Sequence, residues 1–247
     1  MYIFANWKMY LDYDESCILS NQLLTNPVAD NVDVVVFPNM LALSEVEKIM
    51  RETPYSVGGQ NCSWVPKGAY TGAVSALLLK ETGCTHVLVG HSERRYIFGE
   101  SDEDVRKKLD AALGAGLIPV LCIGETQEDR DVGKTEYRIK KQLMKALDGI
   151  EINGGKLVIA YEPVWAISRS GTGVSCDPQE AEKVHSMIKT EIKQYVDKEI
   201  PVIYGGSVNS QNVVSYASQN AIDGVLVGHA STQYEDFVLL LEHVSNL

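Results

Sequence analysis

Long apolar runs are missing from the 247-residue sequence, and none approaches the roughly 18 residues that a membrane span needs. The N-terminus, MYIFANWKMY, has no basic segment leading into an apolar stretch. It does not read as a signal peptide, and a cytoplasmic protein is expected. Basic residues are outnumbered: 22 Lys and Arg stand against 33 Asp and Glu, a formal net charge of −11. A phosphate backbone needs a basic face, so nucleic acid is not an expected partner. A small anion remains open. Charge beyond a Debye length of about 8 Å is screened, while one lysine at about 4 Å supplies about 4 kcal/mol at an effective dielectric of 20. The five cysteines are odd in number and form no Cys-x-x-Cys, which suits a reducing compartment. Cys122, in the apolar run IPVLCIG, reads as a small core residue. His and Cys never fall together at ligand spacing, so no metal is expected. No linker or low-complexity block divides the chain, which reads as one domain over residues 1–247.

What is present is a rhythm. Eight short β-rich runs recur: YIFANW (2–7), DVVVF (33–37), SVGGQN (56–61), HVLVG (86–90), IPVLCIG (118–124), LVIAY (157–161), PVIYG (201–205) and DGVLVG (223–228). Most are continuously apolar, the pattern of strands buried on both faces in a parallel sheet. Helical spacing lies between them, as in Val105, Leu109, Ala112 and Leu113, or Phe237, Leu240, Leu241 and Val244. Eight strand–helix alternations predict an α/β fold, a closed parallel (β/α)₈ barrel. An open doubly wound sheet is the alternative, disfavoured by the even count and by the lack of an early G-x-G-x-x-G.

Several runs end in polar or glycine groups: Asn6-Trp7-Lys8, Gln60-Asn61, His91-Ser92-Glu93, Glu162, Gly205-Gly206-Ser207 and Gly228-His229. In a parallel barrel these ends share the C-terminal rim, where barrel enzymes place their chemistry. Either glycine group alone reads equally as a tight turn. Two in adjacent loops, with a helix start expected after the last strand, predict a cup of backbone N–H groups for phosphate. Glu162 follows an apolar strand, where desolvation raises basicity. His91 precedes SERR, which reads as a helix start, and the positive end of a helix favours a neutral imidazole. Glu93 reads equally as a first-turn helix acid or as a partner of Lys8. His86, His185 and His243 carry no motif and read as structural.

The strings NWKM, QN, VGHSERR, FGESDE, CIGET, YEPVWAI, GTG, YGGSV and LVG-x-AS occur in an order that resembles the triosephosphate isomerases, over essentially the whole chain. The resemblance implies a cofactor-free isomerase of glycolysis and gluconeogenesis. It would interconvert dihydroxyacetone phosphate and D-glyceraldehyde 3-phosphate through an enediolate. It implies Glu162 as the base, His91 as the electrophile on the carbonyl oxygens, Lys8 as the neutralising cation and Asn6 as an orienting amide. Ser207, Gly228 and the amide of His229 would hold the phosphate, with Ser92 and Glu93 supporting. Pro163-Val164-Trp165 would be a stiff hinge and Ala166 to Gly173 a lid that excludes water. The loop SWVPKGAYTGA (63–73) resembles the family's dimer loop, with Thr71 reaching the neighbouring site of a homodimer.

Three departures stand out. Ser168-Arg169-Ser170 interrupt the lid, so its substrate amide comes from Gly171 or Ser168, with Gly171 preferred. Extra loop length costs little closure entropy, so closure is expected to survive. His229 replaces a usual glycine and, when protonated below about pH 6.5, would draw phosphate. Ala73 replaces the usual acid, which removes an expected interface ion pair with Arg94. Two other functions remain open: a different barrel enzyme acting on a phosphorylated sugar, and a phosphate-binding barrel with attenuated catalysis. An aldolase would want a Schiff-base lysine deep in a strand, and no apolar run carries one.

Overall fold

The computed structural model describes residues 1–152, 156–167 and 174–247. Eight parallel strands close on themselves in chain order, each pairing with the next and β8 with β1. They are β1 Tyr2–Asn6, β2 Asp33–Phe37, β3 Tyr55–Gly59, β4 His86–Val89, β5 Ile118–Ile123, β6 Val158–Tyr161, β7 Val202–Tyr204 and β8 Gly224–Val227. All eight expected runs are strands, each displaced by no more than a residue or two at its ends. The helices among the described residues are α1 Tyr13–Leu23, α2 Leu43–Met50, α3 Ala76–Glu81, α4 Ser92–Tyr96 and α5 Asp102–Gly114, followed by α6 Gln127–Asp131, α7 Thr135–Leu147, α8 Pro178–Ile192, α9 Val213–Ala217 and α10 Tyr234–Ser245. The chain is a (β/α)₈ barrel.

The continuous apolarity of the strands now has a cause. Alternate residues of each strand enter two different cores. Phe4, Val35, Phe37, Leu88, Val120 and Cys122 join the cluster inside the barrel. Their neighbours Ile3, Ala5, Val34, Val36, Val87 and Leu121 belong to the outer cluster shared with the helices. Cys122 is fully buried in the inner cluster, a small core residue as expected. The helical faces obey their spacing: Val105, Leu109 and Ala112 of α5 are buried, as are all four expected positions of α10, while Leu113 is half-buried.

Capping sets several entries. Asp12 and Ser101 each form a reciprocal capping box with the third residue of the helix that follows. Asp177 accepts from the amides of Gln179 and Glu180, and Pro178 opens α8, where its missing N–H costs nothing. No described helix is long and apolar enough to cross a membrane.

Candidate active site

Because the strands are parallel, β1, β4, β6, β7 and β8 deliver their terminal residues to one mouth of the barrel. A cleft of about 320 Å³ opens there, with Asn6, Lys8, His91 and Glu162 at its floor and Gly206, Ser207, Gly228 and His229 on one wall. Residues up to 223 positions apart in the chain, Asn6 and His229, thus face one space.

Glu162 is the first residue after β6 and its side chain is buried. Its Oε1 lies 2.9 Å from His91 Nε2, and its Oε2 accepts from the Ser92 N–H at 2.9 Å. Burial pushes the Glu162 pKa up, while the His91 ring, the Ser92 N–H and the Lys8 ammonium push it down; the downward causes win. The sequence-based expectation of raised basicity is corrected for this arrangement, because the hydrogen-bond donors come from β4's distant end. The backbone around Glu162 is tightly confined. A Cβ on Gly124 would sit 1.8 Å from Glu162 O, so no larger residue fits there.

His91 caps α4, which starts at the next residue as expected. Its Nδ1 accepts from the Glu93 N–H at 3.2 Å. A ring nitrogen that accepts carries no proton, so the proton sits on Nε2, which points at Glu162. In that arrangement the helix start leaves His91 an Nε2–H to donate toward Glu162.

Lys8 adopts a left-handed backbone, φ 50°, unusual for a side chain with a Cβ. Local bonds hold it there. Its N–H donates to Asn6 Oδ1 at 3.1 Å, and Gln60 Nε2 donates to its carbonyl at 2.7 Å. Nζ pairs with Glu93 Oε1 at 2.8 Å. Both open readings of Glu93 therefore hold: it is a first-turn acid of α4 and the partner of Lys8. Gln60 is a functional position that sequence reasoning quoted but gave no role; its signal was its place at the end of β3.

Gly228 lies beside Lys8, since a Cβ on it would be 3.5 Å from Lys8 Cε. A helix start does follow β8, as a short 3₁₀ helix, His229–Thr232, and α10 begins at Tyr234. Ser231 Oγ bonds back to Gly228 O at 2.7 Å, which helps close that turn. The His229 ring meets the Tyr10 ring edge-on at 5.1 Å, and both line the cleft. Gly171 and the insert Ser168-Arg169-Ser170 lie outside the described residues. Thr71 is exposed on its loop and does not enter this cleft. Arg94 finds partners within its own chain: Nε lies 3.4 Å from Glu100 Oε2, and the guanidinium stacks 4.5 Å over Phe98.

Behind Glu162, the base of the expected lid is a 3₁₀ turn, Val164–Ala166. Trp165 Nε1 and Tyr161 OH both donate to Glu125 Oε1, at 2.8 and 3.1 Å. The Arg130 guanidinium lies 3.6 Å over the Trp165 ring. Glu125 is a second residue that carries structure near the site without having been singled out. Among the described residues no cluster of three His, Cys, Asp or Glu could hold a metal ion.

A buried carboxylate in contact with an imidazole, with an ammonium lining the same cleft and a glycine-lined wall, gives this (β/α)₈ barrel the groups for acid–base work. The triosephosphate isomerase family model matches residues 1–244. Triosephosphate isomerase of Dictyoglomus thermophilum is 42% identical, covering 95% of this chain and 96% of its own. That of Aquifex aeolicus is 41% identical, with 97% of each chain covered, and that of Trichodesmium erythraeum 42%, with 98% of each. The chain belongs to the triosephosphate isomerase family.

Proposed function

We propose that the protein is an enzyme that interconverts dihydroxyacetone phosphate and D-glyceraldehyde 3-phosphate, as a cytoplasmic step of glycolysis and gluconeogenesis. The observation that carries the reading is the Glu162–His91 contact of 2.9 Å at a cleft shared with Lys8.

The reaction moves a carbon-bound proton between adjacent carbons. That step needs a base at the carbon and a donor at the neighbouring oxygen. Glu162 is the base, and His91 Nε2–H is the donor. Substrate entry takes Glu162 off the Ser92 N–H and His91, which removes two of the causes that hold its pKa down. Burial then raises its basicity. Lys8 neutralises the charge that develops on the enediolate and part of the phosphate charge, and Asn6 orients the substrate oxygen. Ser207 and the amides of Gly228 and His229 receive the phosphate, and the lid adds the amide of Gly171 and excludes water.

Homodimers fit the surface. Met9 is 92% exposed, Leu41 85%, Ile97 62% and Phe98 66%, with Tyr70 half-exposed among them. These residues come from the consecutive loops after β1, β2, β3 and β4, so they gather on one side of the rim. Exposed apolar side chains gathered in that way suit an interface. Thr71, on the same loop as Tyr70, would reach across to a second copy.

The test is isomerisation of D-glyceraldehyde 3-phosphate by the purified chain beside Glu162→Ala. Fast turnover that falls by about 10²–10⁴-fold in the variant supports the reading. Weak turnover in both, with inorganic phosphate still binding, favours the attenuated phosphate-binding barrel.

A further inference from the structure

The opposite mouth of the barrel, where the strands begin, holds a cavity of about 480 Å³, larger than the cleft of about 320 Å³ at the C-terminal rim. Its floor is apolar: Phe4, Val35 and Val158 belong to the inner cluster, and Ile118 packs against it. On the wall stands His86, the first residue of β4, only 9% exposed. Its ring meets Phe4 edge-on at 5.3 Å. Nδ1 lies 2.7 Å from Thr85 Oγ1. Thr85 Oγ1 also lies 3.3 Å from Val57 O, and where its proton turns to that carbonyl the Thr85 oxygen accepts from His86 Nδ1–H. Nε2 is then a bare acceptor at the cavity wall, with no hydrogen-bond partner among the described residues. Burial, with Lys156 and Lys80 nearby, holds the His86 pKa down at about 4, which keeps that lone pair available at neutral pH. His185 Nε2 also lacks a partner, but it is sealed in the core and faces no cavity.

The rim supplies charge with a direction. Lys156, just before β6, lines the cavity, is exposed and has no ion-pair or hydrogen-bond partner among the described residues. Lys198 lines the same side, donating to Ile152 O. Glu199 also lines the cavity, but it is 87% exposed and lies 3.7 Å from Lys193, which offsets part of its charge. Asp33 begins β2, four strands round the closed barrel from β6, on the far wall. A bound anion is therefore directed to the β6 side. His86 and Lys156 start strands two apart, a spacing of about 10 Å at 4.8 Å per strand, which the length of a lysine shortens.

We propose that this N-terminal mouth is a second small-molecule site, for an aromatic acid that carries a ring N–H donor: the ring on Phe4, Ile118 and Val158, the N–H to His86 Nε2 and the carboxylate to Lys156. A polar group facing an apolar floor is how small-molecule sites achieve orientation, and a donor placed on Nε2 adds a hydrogen bond there. The site is independent of the isomerase reading, since it shares no residue with the C-terminal cleft.

Indole-3-propionate is the probe, titrated into the full chain by calorimetry and by the His86 imidazole NMR signals. One saturable site per chain is expected, unaffected by excess inorganic phosphate. The N-methyl analogue, which cannot donate, should bind about 5–10-fold more weakly, as should the parent compound on Lys156→Ala. His86→Phe should bind both compounds equally. The analogue comparison needs no variant, so it stands even if His86→Phe fails to fold. No saturable binding up to about 1 mM overturns the proposal. So does equal binding of the N-methyl analogue to the wild-type chain, undiminished binding on Lys156→Ala, or competition by phosphate.

Discussion

A Cβ on Gly205 would lie 2.9 Å from Glu162 Cγ and 3.3 Å from Tyr161 O. A methyl group there presses on the side chain that must move during turnover. Gly205→Ala is therefore expected to lower kcat by about tenfold or more while changing the melting temperature little, and steady-state kinetics beside a thermal melt will separate the two. Lys8 makes a complementary case. Its ammonium is worth about 4 kcal/mol to an anion at about 4 Å and an effective dielectric of 20, so Lys8→Met should cost about 10²–10³-fold in kcat/KM. The left-handed φ at Lys8 and its three supporting contacts could not be foreseen from NWK, because Gln60 and Glu93, two of the partners, arrive from β3 and α4. The places of Asn6, Lys8, His91 and Glu162 at the mouth of the barrel were legible, since each lies within two residues of where a strand stops.

At the scale of elements, the entry of α5 rests on Ser101, whose hydroxyl accepts from the Asp104 N–H at 3.1 Å while Asp104 bonds back. Ser101→Ala should cost about 1 kcal/mol, seen as a fall of about 2–4 °C in melting temperature, with turnover unchanged. The box was readable in the sequence as Ser-x-x-Asp. That the helix start after β8 is a 3₁₀ turn was not. Ser231 and Thr232 both fold their hydroxyls onto carbonyls behind them, of Gly228 and His229, which closes a tight turn before α10 can start. Such side-chain competition for backbone groups depends on local geometry that residue type leaves open. Deleting residues 168–170 tests the lid: unchanged turnover and substrate affinity would show that the insert has no catalytic role.

Across the whole molecule, two buried histidines set the response to acid. Burial holds His86 and His185 neutral, each with a pKa lowered to about 4. In the unfolded chain both take up a proton near pH 6.5, while the folded chain declines it until about pH 4. The unfolded state then binds more protons, so stability falls as pH drops through that window. Each histidine should contribute a loss of about 2 kcal/mol by pH 5. Urea unfolding at pH 7.5 and pH 5 should show the decline, and His185→Phe should flatten it by about one histidine's share. Equal slopes in the two proteins would rule His185 out as a cause. The exposed apolar patch makes a second prediction at this scale. Phe98→Asp, which charges an exposed residue of that surface, should shift the sedimentation of the proposed homodimer toward monomer, with a larger population of monomer at low concentration.

Strand number, strand burial, parallel class and the residues at the strand tips were all determined by the sequence alone. They follow from local rules: apolar continuity marks a strand buried on both faces, and the first polar residue after it marks the rim. What the closed barrel added was every relation between strands. It set Ser92 N–H and His91 Nε2 on one carboxylate, and so reversed the direction of the Glu162 pKa. It placed Glu93 beside Lys8, Tyr10 against His229, and His86 at the head of a cavity on the opposite mouth. Distances between residues tens to hundreds of positions apart depend on ring closure and register, and neither is written in any local pattern.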